Sequence, residues 1–239
     1  MENMTITKTS TTNGTKVNYY DKSLEILSEL GSFDHKPTLL MHVCCGPCSC
    51  FPLVFLCPHF DVTLYYNNSN IYPAKEFDKR LQTLQELLRD LEKDYGYHVK
   101  LITPPYDNAS YNQELSFYST SKEGGPRCLF CYEKRMREAY DYADKNGFDF
   151  FCTVMTISRQ KNSQILNQIG LKLEKEHPHC RYFCSDFKKK DGALKGREIR
   201  LRYGLYNQNY CGCVYSYNEM LERVSKASRK EEKTRDEKE

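Results

Sequence analysis

Long apolar runs, tryptophan and any recognisable secretory signal are missing from this 239-residue sequence. Its longest apolar stretches lie near residues 38–43 and 53–57, well short of the ~18–20 apolar residues that a membrane span requires. Residues 1–15 are rich in Thr, Asn and Lys and contain no apolar segment followed by a cleavage site. These absences exclude the transmembrane class and lead us to expect a cytoplasmic protein with no membrane partner.

Cysteine is abundant instead, with 12 residues in a chain that is 39% apolar and 28% charged. In an oxidising compartment such a count indicates disulfides, whereas in a reducing compartment it indicates metal ligands or redox groups. The formal net charge of +3 adds only a weak preference for an anionic partner.

Composition and hydrophobic periodicity divide the chain into three parts. They predict a disordered leader over residues 1–16, a single α/β domain over residues 17–223 that forms the catalytic part, and a charged C-terminal tail over residues 224–239. The tail either extends a helix that begins near Tyr217 or frays.

Within the domain, short apolar runs alternate with segments of helical periodicity. The predicted strands are residues 38–43, 61–66, 98–102 and 148–154, and the predicted helices are residues 74–95, 127–146 and 163–176. This alternation predicts a parallel, Rossmann-like sheet covered by helices, with ligands bound beyond the carboxyl ends of its strands.

Two groups of cysteines occupy positions where such ligands bind. Cys44, Cys45 and Cys48 follow the first predicted strand, where a nucleotide-binding protein has a glycine-rich phosphate loop, and thiols there favour a soft metal. Cys128 and Cys131 begin a predicted helix, where their i,i+3 spacing puts both thiols on one face. The two groups are too far apart for a simple zinc ribbon, whose pairs lie ~15–20 residues apart. Spacing alone leaves zinc and an iron–sulfur cluster both open.

Cys211 and Cys213 enclose a single glycine, so a disulfide between them would close a very small, strained ring. Strained disulfides are the labile or catalytic ones, and we interpret this pair as a two-electron relay in preference to metal ligands. His177 and His179 are interpreted as surface residues. Five cysteines are interpreted as core or spectator residues and receive no role: Cys50, Cys57, Cys152, Cys180 and Cys184.

Four motifs occur in a fixed order along the chain. They are His-Val-Cys-Cys-Gly-Pro-Cys-Ser at residues 42–49, Gly-Gly-Pro-Arg-Cys-x-x-Cys-Tyr at 124–132, Asp-Phe-Lys-Lys-Lys-Asp-Gly at 186–192 and Tyr-Asn-Gln-Asn-Tyr-Cys-Gly-Cys-Val at 206–214. With them, the chain resembles the QueH-type epoxyqueuosine reductases over roughly residues 37–216. The resemblance implies an adenine-nucleotide-hydrolase-like fold and an oxidoreductase that converts epoxyqueuosine to queuosine at the tRNA wobble position.

The resemblance also implies cofactors and roles for particular residues. It implies a 4Fe-4S cluster held by Cys44, Cys45, Cys128 and Cys131, and a redox-active disulfide between Cys211 and Cys213. It further implies a second metal, iron or zinc, for which Cys48 and Asp186 are the candidate ligands, although Asp186 is equally suited to cap the turn after it. In this scheme a metal binds the departing oxygen, the cluster supplies electrons, and the disulfide pair accepts reducing equivalents from an external electron donor.

A tRNA substrate requires a basic surface near the site. Arg159 and Lys161 flank the end of the fourth predicted strand, and a belt of basic residues follows near Asp186. The belt consists of Lys188, Lys189, Lys190, Lys195, Arg197, Arg200 and Arg202. We expect these groups to contact tRNA phosphates.

Two alternative functions stay open on the sequence. An iron–sulfur tRNA thiolase would share the fold, but it should carry an ATP-binding Ser-Gly-Gly loop where this chain has Cys44 to Cys48. A zinc-stabilised nucleic-acid-binding module without enzymatic activity would be colourless and contain zinc but no iron. Metal and sulfide content together with the visible spectrum would separate these alternatives.

Overall fold

The structure, a computed structural model, describes residues 16–236 of the chain, with side-chain surroundings for residues 16–229. Except for Lys16, the predicted leader lies outside the described residues. The boundary predicted between domain and tail falls inside one continuous helix, Val214–Asp236, so the tail boundary stays a prediction.

A five-stranded parallel sheet forms the centre of the fold. Its strands are β1 (Thr38–His42), β2 (Asp61–Tyr65), β3 (Lys100–Ile102), β4 (Phe150–Thr153) and β5 (Arg181–Tyr182), in the spatial order β3-β2-β1-β4-β5. Every neighbouring pair is parallel, with Leu40 of β1 opposite Thr63 of β2 and Phe151 of β4. This sheet and its helices confirm the predicted single-domain α/β class.

The described residues form eight α-helices, of which one precedes β1 and seven connect or follow the strands. They are α1 (Tyr19–Glu29), α2 (Gly46–Leu56), α3 (Ala74–Tyr95), α4 (Asn108–Ser116), α5 (Pro126–Lys145), α6 (Ser163–Glu174), α7 (Gly192–Arg202) and α8 (Val214–Asp236). Short 3-10 helices occupy Leu30–Ser32 and Val154–Ile157. Helix α2 packs against α3 and α7, while α5 packs against α6 and β1.

Helix α3 has the bounds predicted from its apolar stripe. Phe77, Leu84 and Leu91 from that stripe are buried. The helix ends because Gly96 adopts a left-handed conformation (φ +69°) and its N–H donates to the carbonyl of Glu92. Local periodicity and a glycine stop therefore define this element.

The core surrounds β1, the central strand. Leu39, Leu40 and Met41 are completely buried, as expected for a parallel strand covered on both faces. From β1 the chain runs to β2 and β3 on one side, then returns to β4 on the other side of β1. In open parallel sheets a ligand crevice forms at this reversal of strand order, beyond the carboxyl ends of β1 and β4.

The interpretation of His177 as a surface residue is wrong. Its ring is buried and stacks on Tyr140, with the two ring centroids 4.5 Å apart. Its Nδ1 lies 2.7 Å from the Leu173 carbonyl and its Nε2 lies 2.6 Å from Asp141 Oδ1, so both nitrogens have partners. The turn between the end of α6 and Pro178 places the ring against α5. The residues that neighbour the proline in the sequence do not reveal this packing. His179 is exposed, as predicted.

Among the helices of the described residues, none combines the length and apolar character that crossing a membrane demands.

Candidate metal centre

Three thiols meet at the carboxyl end of β1. The Sγ atoms of Cys44, Cys45 and Cys48 all lie within 4.8 Å of one another, and those of Cys44 and Cys45 are 3.9 Å apart. Cys44 and Cys45 follow the last residue of β1, while Cys48 lies in the first turn of α2. We call these three residues the first thiol group. A cluster of three converging thiols is a typical donor set for a soft metal.

The start of α2 depends on a close approach between helices. A Cβ atom at Gly46 would lie 2.9 Å from the carbonyl oxygen of Thr83 on α3, so only glycine fits without a shift of backbone. Pro47 follows in the first turn, where a missing N–H has no cost. The Gly-Pro step therefore packs α2 against α3 directly beside the thiols.

Hydrogen bonds and burial differentiate the thiols of this group. Hydrogen bonds with the thiols of Cys45 and Cys48 hold the pKa of Cys44 well below its usual range. Burial raises the pKa of Cys45 to about 12. The side-chain amide of Gln208 also donates to Cys45 Sγ over 2.9 Å. Metal binding requires thiolates, so a metal would replace the thiol protons and leave Gln208 as a donor to a ligating sulfur.

Four more thiols line one small cavity of about 10 Å³. Cys128 and Cys131 come from the first turns of α5, and Cys211 and Cys213 from the loop between α7 and α8. We call these residues the second thiol group. Burial raises the pKa values of Cys128 and Cys213. The structure thus brings both predicted pairs to one place.

Donors also reach the sulfurs of the second thiol group. The Gly124 N–H lies 3.2 Å from Cys128 Sγ, and the hydroxyl of Tyr111 lies 3.4 Å from Cys131 Sγ. Such hydrogen bonds to sulfur orient thiolate ligands and tune the metals that they hold.

A larger cavity of about 800 Å³ opens beyond the carboxyl ends of the strands. Cys44 and Cys48 of the first thiol group and Cys211 of the second line it, so Cys211 borders both cavities. The predicted cluster ligands include two thiols from each group, whereas the structure collects three thiols in one group and four in the other. The division of thiols between metals therefore stays a prediction.

Two cations lie beside the thiols, one of them buried and the other half-buried. Arg135 is 3% exposed and donates to Asn68 Oδ1, the Cys131 carbonyl and Met155 Sδ over 3.1–3.4 Å. Within the described residues, no carboxylate forms an ion pair with it. A buried cation without an anion is costly, so this charge fits a site that holds thiolates or an anionic metal group.

Lys161 lies on the wall of the larger cavity. Burial acts to lower the pKa of its ammonium, but the nearby thiols of Cys211 and Cys44 outweigh burial and raise it. Lys161 therefore adds a second positive charge that faces the thiols. The donor set, the hydrogen bonds to sulfur and these cations all fit a thiolate-bound metal group.

Asp186 does not join the first thiol group. Its Oδ2 accepts a hydrogen bond from Ser163 Oγ over 2.8 Å, and its Oδ1 lies 3.4 Å from Lys188 Nζ. In the following turn it is the backbone carbonyl of Asp186, and not its carboxylate, that accepts from Lys189 N–H. The role of Asp186 as a metal ligand stays a prediction.

The predicted tRNA-binding residues fall into two sets. Arg159, Lys161 and Arg197 line the larger cavity, together with Arg200 from the same basic belt. Lys188 instead turns toward Asp186 and donates to the carbonyls of Thr156 and Lys161, and it is not part of the cavity wall. Lys189 and Lys190 are exposed on the turn before α7. Four basic side chains of the predicted set therefore line the cavity.

The five cysteines without a role all lie in the hydrophobic core. Burial raises the pKa of each of them, and none of them belongs to either thiol group. Their interpretation as core residues is confirmed by this burial for Cys50, Cys57, Cys152, Cys180 and Cys184.

Three residues of the site escape sequence reasoning. Arg135 lies one turn after Cys131 and shares its face, and Gln208 stands inside the 206–214 motif, so both carried a positional signal. Arg80 lies on the buried side of α3, where a charged residue is unexpected, and donates to the backbone carbonyl of Cys211.

Comparisons with known proteins agree with this site. The family model described as Epoxyqueuosine reductase QueH matches residues 39–219. A curated relative of that name from Streptococcus pyogenes serotype M1 is 35% identical over 202 residues, covering 84% of this chain and 78% of the relative. Another, from Staphylococcus aureus strain Mu50, is 35% identical over 209 residues, covering 84% of each.

A third relative of the same name, from Thermotoga maritima, is 30% identical over 197 residues, covering 81% of this chain and 97% of the relative. The match spans the sheet and both thiol groups. The chain therefore belongs to the QueH family of epoxyqueuosine reductases.

Proposed function

We propose that this protein is an epoxyqueuosine reductase that acts on tRNA. The reaction removes the epoxide oxygen of epoxyqueuosine at the wobble position, consumes two electrons and two protons, and gives the alkene of queuosine and water. Family membership supports this function most directly. The relatives do not favour a thiolase or a zinc module, and Cys44 to Cys48 stand where a thiolase would have its ATP loop.

The cavity beyond β1 and β4 is the observation that carries the proposal. Its volume of about 800 Å³ lies in the range of small-ligand sites, ~300–1,000 Å³, and suits a nucleoside extruded from an anticodon loop. Thiols lie on its wall, and Arg159, Arg197 and Arg200 surround it. A base inserted here would meet the thiols while its flanking phosphates meet arginines.

The thiols are proposed to hold the redox cofactor. We assign a 4Fe-4S cluster to Cys44, Cys45, Cys128 and Cys131, the ligand set that the family resemblance implies. Hydrogen-bond donors that reach the sulfurs of Cys45, Cys128 and Cys131 support this assignment. Cys48 and Asp186 are assigned to a second metal, iron or zinc, and Asp186 would then share its carboxylate with Ser163. When bound, these groups supply single electrons and a Lewis acid for the departing oxygen.

The chain's own residues bind the substrate, hold positive charge and relay electrons. Lys161 keeps an ammonium on the cavity wall beside the thiols, where it favours negative charge that develops on oxygen. Cys211 and Cys213 are proposed as a redox-active pair that passes electrons from an external donor. Cys211 is suited to this role because it borders both cavities. The proposed compartment is the cytoplasm, where thiols stay reduced.

Anaerobic purification followed by iron, sulfide and zinc analysis, a visible spectrum and a turnover assay tests this function. We expect a coloured protein with iron and sulfide that converts epoxyqueuosine to queuosine in tRNA, as measured by nucleoside mass spectrometry. A colourless protein that contains zinc and no iron would contradict the proposal and favour the binding module. Incorporation of sulfur into tRNA without epoxide reduction would favour the thiolase.

A further inference from the structure

A buried arginine holds the segment that carries the proposed redox pair. Arg80 on α3 is 1% exposed, and its Nη1 and Nη2 donate to the carbonyls of Cys211 and Tyr210 over 2.9 and 3.2 Å. Its Nε donates to Glu76 Oε1 over 2.7 Å. Glu76 in turn accepts from the Tyr206 hydroxyl, so the carboxylate that orients Arg80 is itself fixed.

Every backbone carbonyl of residues 210–213, which we call the thiol segment, accepts a hydrogen bond. Arg80 holds the first two, and the backbone N–H of Tyr72 donates to the Gly212 carbonyl over 2.8 Å. The Ser216 hydroxyl donates to the Cys213 carbonyl over 2.9 Å, and Ser216 Oγ accepts from Gly212 N–H. Four consecutive peptide groups are thus fixed, two of them by one cation.

Gly212 lets the guanidinium of Arg80 approach the backbone of the thiol segment closely. Its φ of +146° lies in a region that L side chains rarely adopt. A Cβ atom here would lie 3.3 Å from Arg80 Nη1 and 3.3 Å from Asn70 Nδ2. The guanidinium therefore packs against the glycine between the two cysteines as well as binding its neighbours.

We propose that Arg80 is a positioning residue that holds the thiol segment in its dithiol conformation and opposes formation of a disulfide within it. The inference rests on the proposed redox role of Cys211 and Cys213. Both are free thiols in the structure. A disulfide requires ~2.05 Å between the sulfurs and a narrow range of dihedral angles, and the hydrogen bonds from Arg80 and Tyr72 restrict the backbone adjustment by which the segment could reach that geometry.

The chemistry is a balanced thiol–disulfide exchange with an external dithiol. One thiolate of the pair attacks a sulfur of the external disulfide, and the second thiolate then displaces the external thiol from the mixed disulfide. Two electrons pass from the pair to the external sulfurs, which take up two protons and leave as a dithiol. In the reverse direction an external dithiol reduces the pair. Arg80 shifts this equilibrium toward the dithiol form of the protein.

The equilibrium can be measured directly. Anaerobic holoenzyme is incubated with mixtures of reduced and oxidised dithiothreitol and quenched with acid and an alkylating agent. Mass spectrometry of the peptide that contains both cysteines gives the fraction of disulfide. We expect Arg80→Met, combined with Glu76→Gln to avoid a stranded charge, to shift the equilibrium toward the disulfide roughly tenfold or more, because hydrogen bonds from a charged donor are lost.

Arg80→Lys retains the positive charge but loses the guanidinium group that donates to two carbonyls at once. We expect it to shift the thiol–disulfide equilibrium toward the disulfide by a smaller factor. Arg89→Met changes an exposed arginine of the same helix and should leave the equilibrium as in wild type. If the double variant fails to fold, Arg80→Lys and Glu76→Gln alone decide the question. Folded variants at positions 80 and 76 with a wild-type equilibrium would overturn the inference.

Wild-type turnover separates this inference from the proposed function. A wild-type enzyme that reduces epoxyqueuosine, beside Arg80 variants with an unshifted equilibrium, overturns only the inference. A wild-type enzyme without reductase activity contradicts the function itself. A wild type that forms no disulfide at any dithiothreitol ratio overturns the inference by removing the redox pair on which it rests.

Discussion

The two ends of β1 and β4 differ in how their polar groups are paired. At the amino ends, Asp149 Oδ2 accepts from the N–H and hydroxyl of Thr38 over 2.8 and 2.7 Å, and Asp149 N–H donates back to Thr38 Oγ1. At the carboxyl ends, buried His42 Nε2 and Gln208 Oε1 have no hydrogen-bond partner among the described residues. The polar groups at the amino ends are thus paired with each other, whereas the carboxyl ends carry thiols, cations and buried polar atoms without partners.

This difference indicates where stability and function reside. Buried polar groups without partners are rare in native proteins, and their concentration near the thiols is expected where a substrate or metal group completes the site. Substitutions at the carboxyl ends should therefore reduce activity and metal content with little effect on folding. Substitutions at the amino ends should do the reverse.

The largest expected effect comes from removing a thiol of either group. Cys44→Ala and Cys128→Ala should each lower turnover of epoxyqueuosine-containing tRNA by ~100-fold or more and lower the iron content, because ligands of the proposed cluster are lost. Cys57→Ala removes a core thiol with no proposed role and serves as the matched control. Unimpaired turnover in either site variant would remove the cluster assignment.

Removing a buried cation comes next. Arg135→Met should lower iron content and turnover by ~10–100-fold, since a group that faces the metal ligands is lost without loss of a ligand. Arg137→Met, on the same helix, removes a surface residue that pairs with Glu133 and Glu176 and should retain activity. Wild-type iron content in the Arg135 variant would show that thiols alone define the carboxyl end.

At the amino ends the expected effect is on stability. Burial acts to raise the pKa of Asp149, but the donors of Thr38 and the ring of His35 lower it below its usual value. Because the folded pKa is the lower one, this stability is present above the unfolded pKa, ~3.9, and is lost as pH falls through the folded value.

Asp149→Asn should therefore lower the free energy of unfolding by about 1–3 kcal/mol at neutral pH, with the difference from wild type shrinking below pH ~4. Urea unfolding at several pH values measures it, and turnover per folded molecule should be unchanged. A pH-independent difference would mean that the carboxylate charge contributes nothing to this end.

The smallest effect is expected for tRNA affinity. Arg197→Gln, at the cavity mouth, should weaken binding a few-fold and reduce the slope of log affinity against log salt by ~0.7–0.9, the value for one phosphate contact. Lys145→Gln, in the last turn of α5 before β4, removes the same charge near the amino end and should leave the slope unchanged. Equal slopes for both variants would contradict a specific basic mouth.

Elements defined by local pattern were predictable from the sequence. Helix α3 follows from its apolar periodicity and the glycine that ends it, and α6 begins after Asn162, a typical N-cap residue whose side chain accepts from Gln164 N–H. Helix α2 was not predicted, because it is apolar on all sides and gives no periodic signal. Strand β5 contains only two residues and is defined by its neighbour β4.

Within the site, sulfur was visible in the sequence but its surroundings were not. The spacing of the cysteines predicted two thiol pairs, Cys128 with Cys131 and Cys211 with Cys213, and both pairs line one small cavity. The contacts of Arg80 and Arg135 could not be predicted from the sequence. A buried cation is stabilised by carbonyls or thiols, and segments distant in sequence supply some of these groups. The grouping of thiols likewise depends on how α5 and the loop before α8 close on each other.

The separation of the thiols along the chain has a consequence for biogenesis. The first thiol group is synthesised early, but Cys128 follows some eighty positions later and Cys213 nearly at the last helix. No ribosome-bound intermediate that ends before Cys213 contains all the thiols of the two groups. The core around β1 is formed mainly by side chains other than the site thiols, although Cys128 belongs to it and Cys44 and Cys48 pack against it. We therefore expect the apoprotein to fold first and to receive any metal group through the open cavity after release.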